Sequence, residues 1–481
     1  MPKIEMCLKE NIEHIRNTFH DTSDLIVRNL KSGCEGSLEM NIVYLDGIID
    51  TDVIQDYVVK PLLEPFETEG LTESLIDQII ERIVESADVK TTTQYQELTN
   101  GIVQGSTVLL IDGFPEGIII PSPKWAERSV EASIGERSVR GPQIGLTEKI
   151  KTNINLIRGS LKTPDLCVET VEIGTNSPTS VSILYIDGTV DNGILKEVKK
   201  RIHSLTVKYV LSERVVEEVL EGKPKTFFSR LRHSERIDGA VSSLFEGRVV
   251  VMVDGYPFAI IAPALFIDFI QAPDDYHISM GRFTSRIIRF IAFLLGIYLP
   301  AVYIALANFH KDDIPTKISK AIISDDEILP TFWEIAILLF LVRILVDVSF
   351  RLPQSAVILV SLIGTIVIGE TAVTAKLIHP VSLIVIGITA LSSFLGANRG
   401  LVGPDATLRI VFLLTANFFG FNGIIIGTTI LMLYMVSLKS LGVPYLSPII
   451  PFKMQELKDT FYREDLQRLT NSKHTYTKDG D

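Results

Sequence analysis

The chain has 481 residues, of which 46% are hydrophobic and 22% charged, with a formal net charge of -12 and a mean hydropathy of +0.30. That length allows two or more domains, and so high a hydropathy in so charged a chain calls for a charged region joined to a membrane region. The acidic balance argues against nucleic acid as a partner, because phosphate backbones are bound through basic patches.

The first residues, MPKIEMCLKENIEHI, are charged and carry no apolar run, so no secretory signal is expected and the N-terminal region is placed in the cytoplasm. Cys7, Cys34 and Cys167 lack metal-ligand spacing and read as reduced thiols. NIVYLDG (41–47) is a short β-branched and aromatic run ending in a turn dipeptide. Helical stretches follow at VIQDYVVKPLLEPF and LTESLIDQIIERIVE, and TVLLIDGFPEGIII then reads as a hairpin folded at Asp-Gly. SVRGPQIGL is an extended loop, broken at Gly141-Pro142. TEKIKTNINLIRGSL is a predicted helix with Thr147 as its N-cap and Ile150, Ile154 and Ile157 on one face.

The same order then recurs. Tyr44, Asp46, Gly47 and Asp50 reappear as Tyr185, Asp187, Gly188 and Asp191. Gly105, Asp112, Gly113, Pro115 and Pro121 reappear as Gly247, Asp254, Gly255, Pro257 and Pro263. Asp46 to Asp112 is 66 residues and Asp187 to Asp254 is 67, so two copies of one module are inferred. LYIDGTVD (184–191) nearly matches a phosphotransfer loop, but Tyr185 stands where the nucleophilic aspartate belongs, and a phenol forms no aspartyl-phosphate. The Asp-Gly pairs are therefore read as turn chemistry.

From Ile287 the chain becomes apolar. Residues 287–309, 331–350, 355–378, 380–398 and 408–438 are the expected membrane segments, given the ~20 residues a helix needs to span. The last is long for one span, and a tilt or a break near Gly420 to Gly423 is expected. Segment 331–350 carries Glu334, Arg343 and Asp347, with Arg343 and Asp347 spaced to pair on one face. Charges inside a membrane segment face the bundle interior or water, so this segment either lines a cavity or lies at the interface. Ser361, Thr365 and Gly369 form a small-residue stripe with Glu370 beside it. Two readings stay open there: close helix packing around a buried acid, or the lining of a cation path in an oligomer. Arg282, Arg286 and Arg289 before the first span and the Lys/Arg-rich tail both favour the cytoplasmic side, yet five full spans would put the tail outside.

The expected organisation is thus an α/β module at 1–124, a linker with a helix at 125–178 and a second α/β module at 179–268. A juxtamembrane stretch (269–286), an all-α transmembrane bundle of four to five segments (287–438) and a short polar tail (439–481) follow. No metalloprotease, Walker A, nucleophile-elbow or CxxC motif occurs, so neither an enzyme nor a cofactor is expected.

RGP (140–142), NINLIR (153–158), APDDYH (272–277), RLPQS (351–355), IVIGETAVTAKLIHP (366–380) and GVPYLSPIIPF (442–452) occur in an order that resembles the A subunits of spore nutrient germinant receptors, the GerA family. The resemblance runs to about Phe452. It departs at LVDVSFRLP, where only Arg351, Leu352 and Pro353 follow the family's pattern, and at Glu370, where the family also uses Gln. It implies a protein of the spore inner membrane that acts with a transporter-like B subunit, which binds the nutrient, and a C lipoprotein. It implies assembly into a homo-oligomeric, nutrient-gated cation channel. A stage V sporulation AF-type paralogue and a non-conducting scaffold are the alternatives.

Overall fold

The computed structural model describes residues 2–32, 38–63, 74–83, 89–125, 136, 144–272, 275, 284–311, 328–349, 351–353, 356, 369–395, 399–454, 456–458, 460, 474 and 476–478. RGP, Ser361 and Thr365 lie outside them. Two compact units form. One comprises Met1–Gly222, Leu231–Pro263 and Lys473–Asp481, the other Lys223–Arg230 and Ala264–Ser472.

The first unit holds two five-stranded sheets. β1 (Leu25–Ser32), β2 (Leu38–Leu45), β3 (Lys90–Thr92), β4 (Ser106–Ile111) and β5 (Gly117–Pro121) are ordered β1-β2-β4-β5-β3. β6 (Leu166–Ile173), β7 (Thr179–Ile186), β8 (Arg232–Ser234), β9 (Val249–Val253) and β10 (Ala259–Ala262) are ordered β6-β7-β9-β10-β8. Every ladder in both is antiparallel, and the β4–β5 and β9–β10 hairpins fold at Asp-Gly as expected. Both hairpin strands β4 and β9 are buried along their length, because α5 (Tyr95–Val103) and α9 (Ile237–Phe245) pack on their sheets.

The expected linker is corrected. β6 pairs residue for residue with β7, from Leu166↔Ile186 to Ile173↔Thr179, so the second sheet begins well before 179. The boundary was misplaced because β1 and β6 carry no turn dipeptide that marks them as related.

The matching acids of the two sheets act alike. Gly47 and Gly188 adopt φ of +90° and +75°, as an Asp-Gly turn requires. Asp50 accepts hydrogen bonds from the amides of Asp52 and Val53, and Asp191 from that of Ile194, each capping the helix that follows. Asp112 Oδ1 accepts from Leu8 N at 3.1 Å, at the start of α1 (Leu8–Thr18). Asp254 Oδ1 accepts from Ile150 N at 3.1 Å, at the start of α6 (Ile150–Ser160). Thr147 is therefore not the cap of α6; Lys149 occupies that position, and the cap hydrogen bond comes from the hairpin 104 residues away. The backbone of Thr147 pairs instead with Asn153, as that of Glu5 pairs with Asn11.

Where the sheets meet, Arg158 grips Asp24 with Nε and Nη2, both at 2.9 Å, and the two side chains are 2% and 8% exposed. Thr22 donates to the same carboxylate at 2.6 Å and accepts from Val168 N at 2.8 Å.

In the second unit, α10 (Thr284–Phe309) and α14 (Arg399–Ser437) contain the two segments, Ser285–Phe309 and Gly400–Ser437, that are long and apolar enough to cross a membrane among the described residues. α11 (Thr331–Ser349) carries three ionisable groups, α12 (Ala372–Thr374) is a single turn, and α13 (Pro380–Leu395) is apolar but shorter. Two of the five expected segments are thus long and apolar enough among the described residues, and most of 355–378 lies outside those residues.

The break expected near Gly420 is present. Gly420 has φ +57° and ψ -140°, and α14 folds back there. A side chain on Gly423 would strike the carbonyl oxygen of Thr415, and one on Gly427 would meet the Phe412 ring at 2.8 Å. Residues eight and fifteen apart touch only in a hairpin, since a straight helix would hold them roughly 12 and 22 Å apart. The two glycines thus serve packing.

Candidate functional site in the helical unit

A helix becomes functional inside a membrane through the polar groups it refuses to leave in lipid. Four sets of such groups are placed. Glu334 of α11 is buried, with Ser382 Oγ of α13 at 2.7 Å from Oε2 and 3.3 Å from Tyr303 Oη of α10. One shared hydroxyl therefore ties an acid to two further helices.

The second set was missed in the sequence. Arg409 and Asp405 of α14 pair at i, i+4, Arg409 Nε donates to Gly296 O at 2.6 Å, and Ser393 Oγ donates to Asp405 Oδ2 at 2.8 Å. Gly296 makes room for this set, since a Cβ there would lie 2.9 Å from Asp405 Oδ1. The signal was available as DATLR, an acid and a base one turn apart at the head of an apolar run. It was overlooked because the span was started at Leu408; the helix begins at Arg399.

Arg343 and Asp347 do pair, at 3.3 Å, but they do not face the interior of this chain: their side chains are 58% and 49% exposed. Gly369 and Glu370 stand one turn ahead of α12, where Thr374 Oγ1 donates to Glu370 O at 2.8 Å, and Glu370 is exposed. Glu370 is thus exposed in the single chain, and both readings of this stretch stay open. Glu334 and the Arg343–Asp347 pair share α11, while Glu370 lies on a separate segment.

Ahead of α10 sits a charge clamp. Asp275 accepts from Arg286 Nε at 3.1 Å, from Arg289 Nη1 at 2.9 Å and from Ala272 N at 3.1 Å. Burial pushes its carboxyl up, and the hydrogen bonds and charge of Arg289 outweigh that and hold it below the ordinary carboxylate range. Two of the three arginines that set the expected orientation are thus committed to an acid.

Comparison with known proteins decides the family. The model of the Bacillus/Clostridium GerA spore germination protein matches residues 13–475. The chain belongs to the GerA family. Spore germination protein KA of Bacillus subtilis is 33% identical over 463 residues, covering 96% of this chain and 85% of that protein. Spore germination protein GerLA of Bacillus cereus is 31% identical, covering 96% and 94%. YfkQ of Bacillus subtilis, described as an uncharacterized membrane protein, is 32% identical, covering 98% and 91%. The crystal structure of the N-terminal domain of the A subunit of the Bacillus megaterium germinant receptor GerK3 is 30% identical with a TM-score of 0.45, covering 55% of this chain and 98% of that one.

The GerA motif GVPYLSPIIPF has a physical role in this chain. β11 (Lys439–Ser440) and β12 (Val443–Pro444) form a hairpin turned at Leu441 and Gly442, both with positive φ. Tyr445 follows, fully buried, its ring 5.9 Å from Phe228 and 6.3 Å from Phe266, and its carbonyl accepts from Phe266 N. Ser440 Oγ donates to Arg230 O at 2.7 Å. The motif thus gathers residues before α10 and after α14 into one collar.

Proposed function

We propose that this GerA-family chain is the A subunit of a nutrient germinant receptor in the spore inner membrane. It acts with a transporter-like B subunit and a C lipoprotein and forms a homo-oligomeric, nutrient-gated cation channel, with its N-terminal region in the cytoplasm. The observation that carries this reading is the exposed Arg343–Asp347 pair on a mostly apolar helix. Such a pair within a membrane segment faces a partner, a water-filled path or the interface, and we read this one as facing a second copy or such a path. Glu370, also exposed, and the Ser361/Thr365/Gly369 stripe supply oxygens suited to cations along such a path. Gating follows as a population shift: nutrient bound next door favours the conducting arrangement of this subunit. No catalytic step is assigned to the chain. The N-terminal region is read as a duplication of one module, supported by the shared strand order and the paired 104-residue hydrogen bonds.

The test is potassium release from spores after nutrient addition, comparing wild type, a deletion, Glu370→Ala and Asp347→Ala, with subunit levels checked by immunoblot. Loss of release in the deletion, with altered rate or ion preference in a point variant at normal protein level, supports the channel. If the deletion stops release and neither variant alters it, the path lies elsewhere. A second reading is the stage V sporulation AF-type paralogue, without a nutrient of its own; an intact response to every nutrient in the deletion would select it.

A further inference from the structure

We propose that the second sheet is built with an open slot and that the C-terminal tail, His474 and Tyr476–Lys478, is the segment that closes it. The first sheet shows what the slot is for. There the chain runs on past β5, Pro123 bridges Ile49, and Lys124 N donates to Ile48 O at 2.9 Å. Gly105 lines the slot: a Cβ on it would lie 3.2 Å from Ile48 O and 3.2 Å from Pro123.

In the second sheet Thr189, Val190 and Gly247 stand where Ile48, Ile49 and Gly105 stand in the first. The chain after β10 does not fill the place, because beyond Pro263 it enters the other unit. Thr477 bridges Val190 instead, and Lys478 N donates to Thr189 O at 3.0 Å. A Cβ on Gly247 would lie 3.0 Å from Thr189 O and 3.0 Å from Thr477. The same three backbone relations are met by a segment more than 200 residues further along the chain.

Side chains add a lock that the first sheet lacks. Arg248 replaces Ser106 at the position after the slot glycine. Its guanidinium lies 4.6 Å over the Tyr476 ring, donates to Tyr476 Oη at 3.0 Å and donates to Pro263 O at 3.1 Å. Tyr476 is 3% exposed, and the His474 ring stacks on it at 5.1 Å. One arginine thus holds both the strand that leaves and the tail that takes its place.

The experiment uses the full-length protein in membranes, with Cys7 and Cys34 changed to serine and Val190→Cys and Thr477→Cys introduced. Bridge partners lie about 4.5–5.5 Å apart, within disulfide reach. Copper-phenanthroline is expected to give an intrachain disulfide, seen by mass spectrometry. Tyr476→Ala should slow its formation by roughly tenfold or more, and Tyr476→Phe by less. Slow alkylation of buried Cys167 reports that each variant is folded. No disulfide while both new thiols still react with maleimide would overturn the proposal. So would a disulfide that forms only between co-expressed copies carrying one new cysteine each.

Discussion

The two sheets of the N-terminal region share strand order, helix caps and hairpin pins, and differ in what is done with their ends. Arg16 in α1 and Arg158 in α6 hold the same place after the paired asparagine, yet Arg16 meets exposed Asp21 at 3.8 Å while Arg158 is buried against Asp24. The first slot is closed by the adjoining chain and the second by the tail. Two sheets of one strand order can thus keep the same backbone hydrogen bonds while their arginines and free ends are put to different uses.

That contrast can be broken experimentally, beginning with the arginines. Arg158→Ala should cost about 3–5 kcal/mol, because it strands the buried Asp24 carboxylate, whereas Arg16→Ala should cost less than about 1 kcal/mol. Urea unfolding followed by Trp125, which packs on Gly159 of α6, in a Trp333→Phe background reads both. Equal losses would mean the buried pair is no stronger than the exposed one. The hairpin pins come next: Asp112→Ala and Asp254→Ala should each cost about 1 kcal/mol, as lost helix caps do. Values differing by more than the error of the melts would end the equivalence of the two.

A smaller, pH-dependent effect separates the sheets further. In the second, Glu217 of α8 (Arg214–Glu221) sits 2.6 Å from His233. Burial pushes the Glu217 carboxyl up, but His233 and then Arg214 outweigh it and hold it below its ordinary value. A carboxyl held low in the folded state adds stability above its unfolded pKa, and that stability is lost as pH falls through the folded value. Acid should therefore loosen the second sheet, and Glu217→Gln should flatten the acid limb of a thermal melt. An unchanged limb would remove Glu217 as its source.

Much of this was readable from residue order. Asp-Gly with flanking apolar runs located β2, β4, β7 and β9, because positive φ and strand burial leave local marks. Gly420 marked the reversal in α14 for the same reason. β1 and β6 were invisible as partners, since pairing is decided by residues far away in sequence. The Asp254 cap of α6 was hidden likewise, 104 residues from the helix it serves. In the helical unit, residue type alone picked out Glu334 and the Arg343–Asp347 pair, but which of them is buried depended on neighbours such as Ser382. Asp405 and Arg409 escaped because a polar helix start resembles a loop when hydropathy sets the boundary.

The docked tail also fixes a parity. Met1–Gly222, Leu231–Pro263 and Lys473–Asp481 form one compact unit, so a chain folded this way keeps the two ends of that unit on one face of any membrane it threads. Whatever crosses between them crosses an even number of times. The reversal at Gly420, which divides the last apolar segment into two antiparallel arms, is the kind of turn that meets this rule.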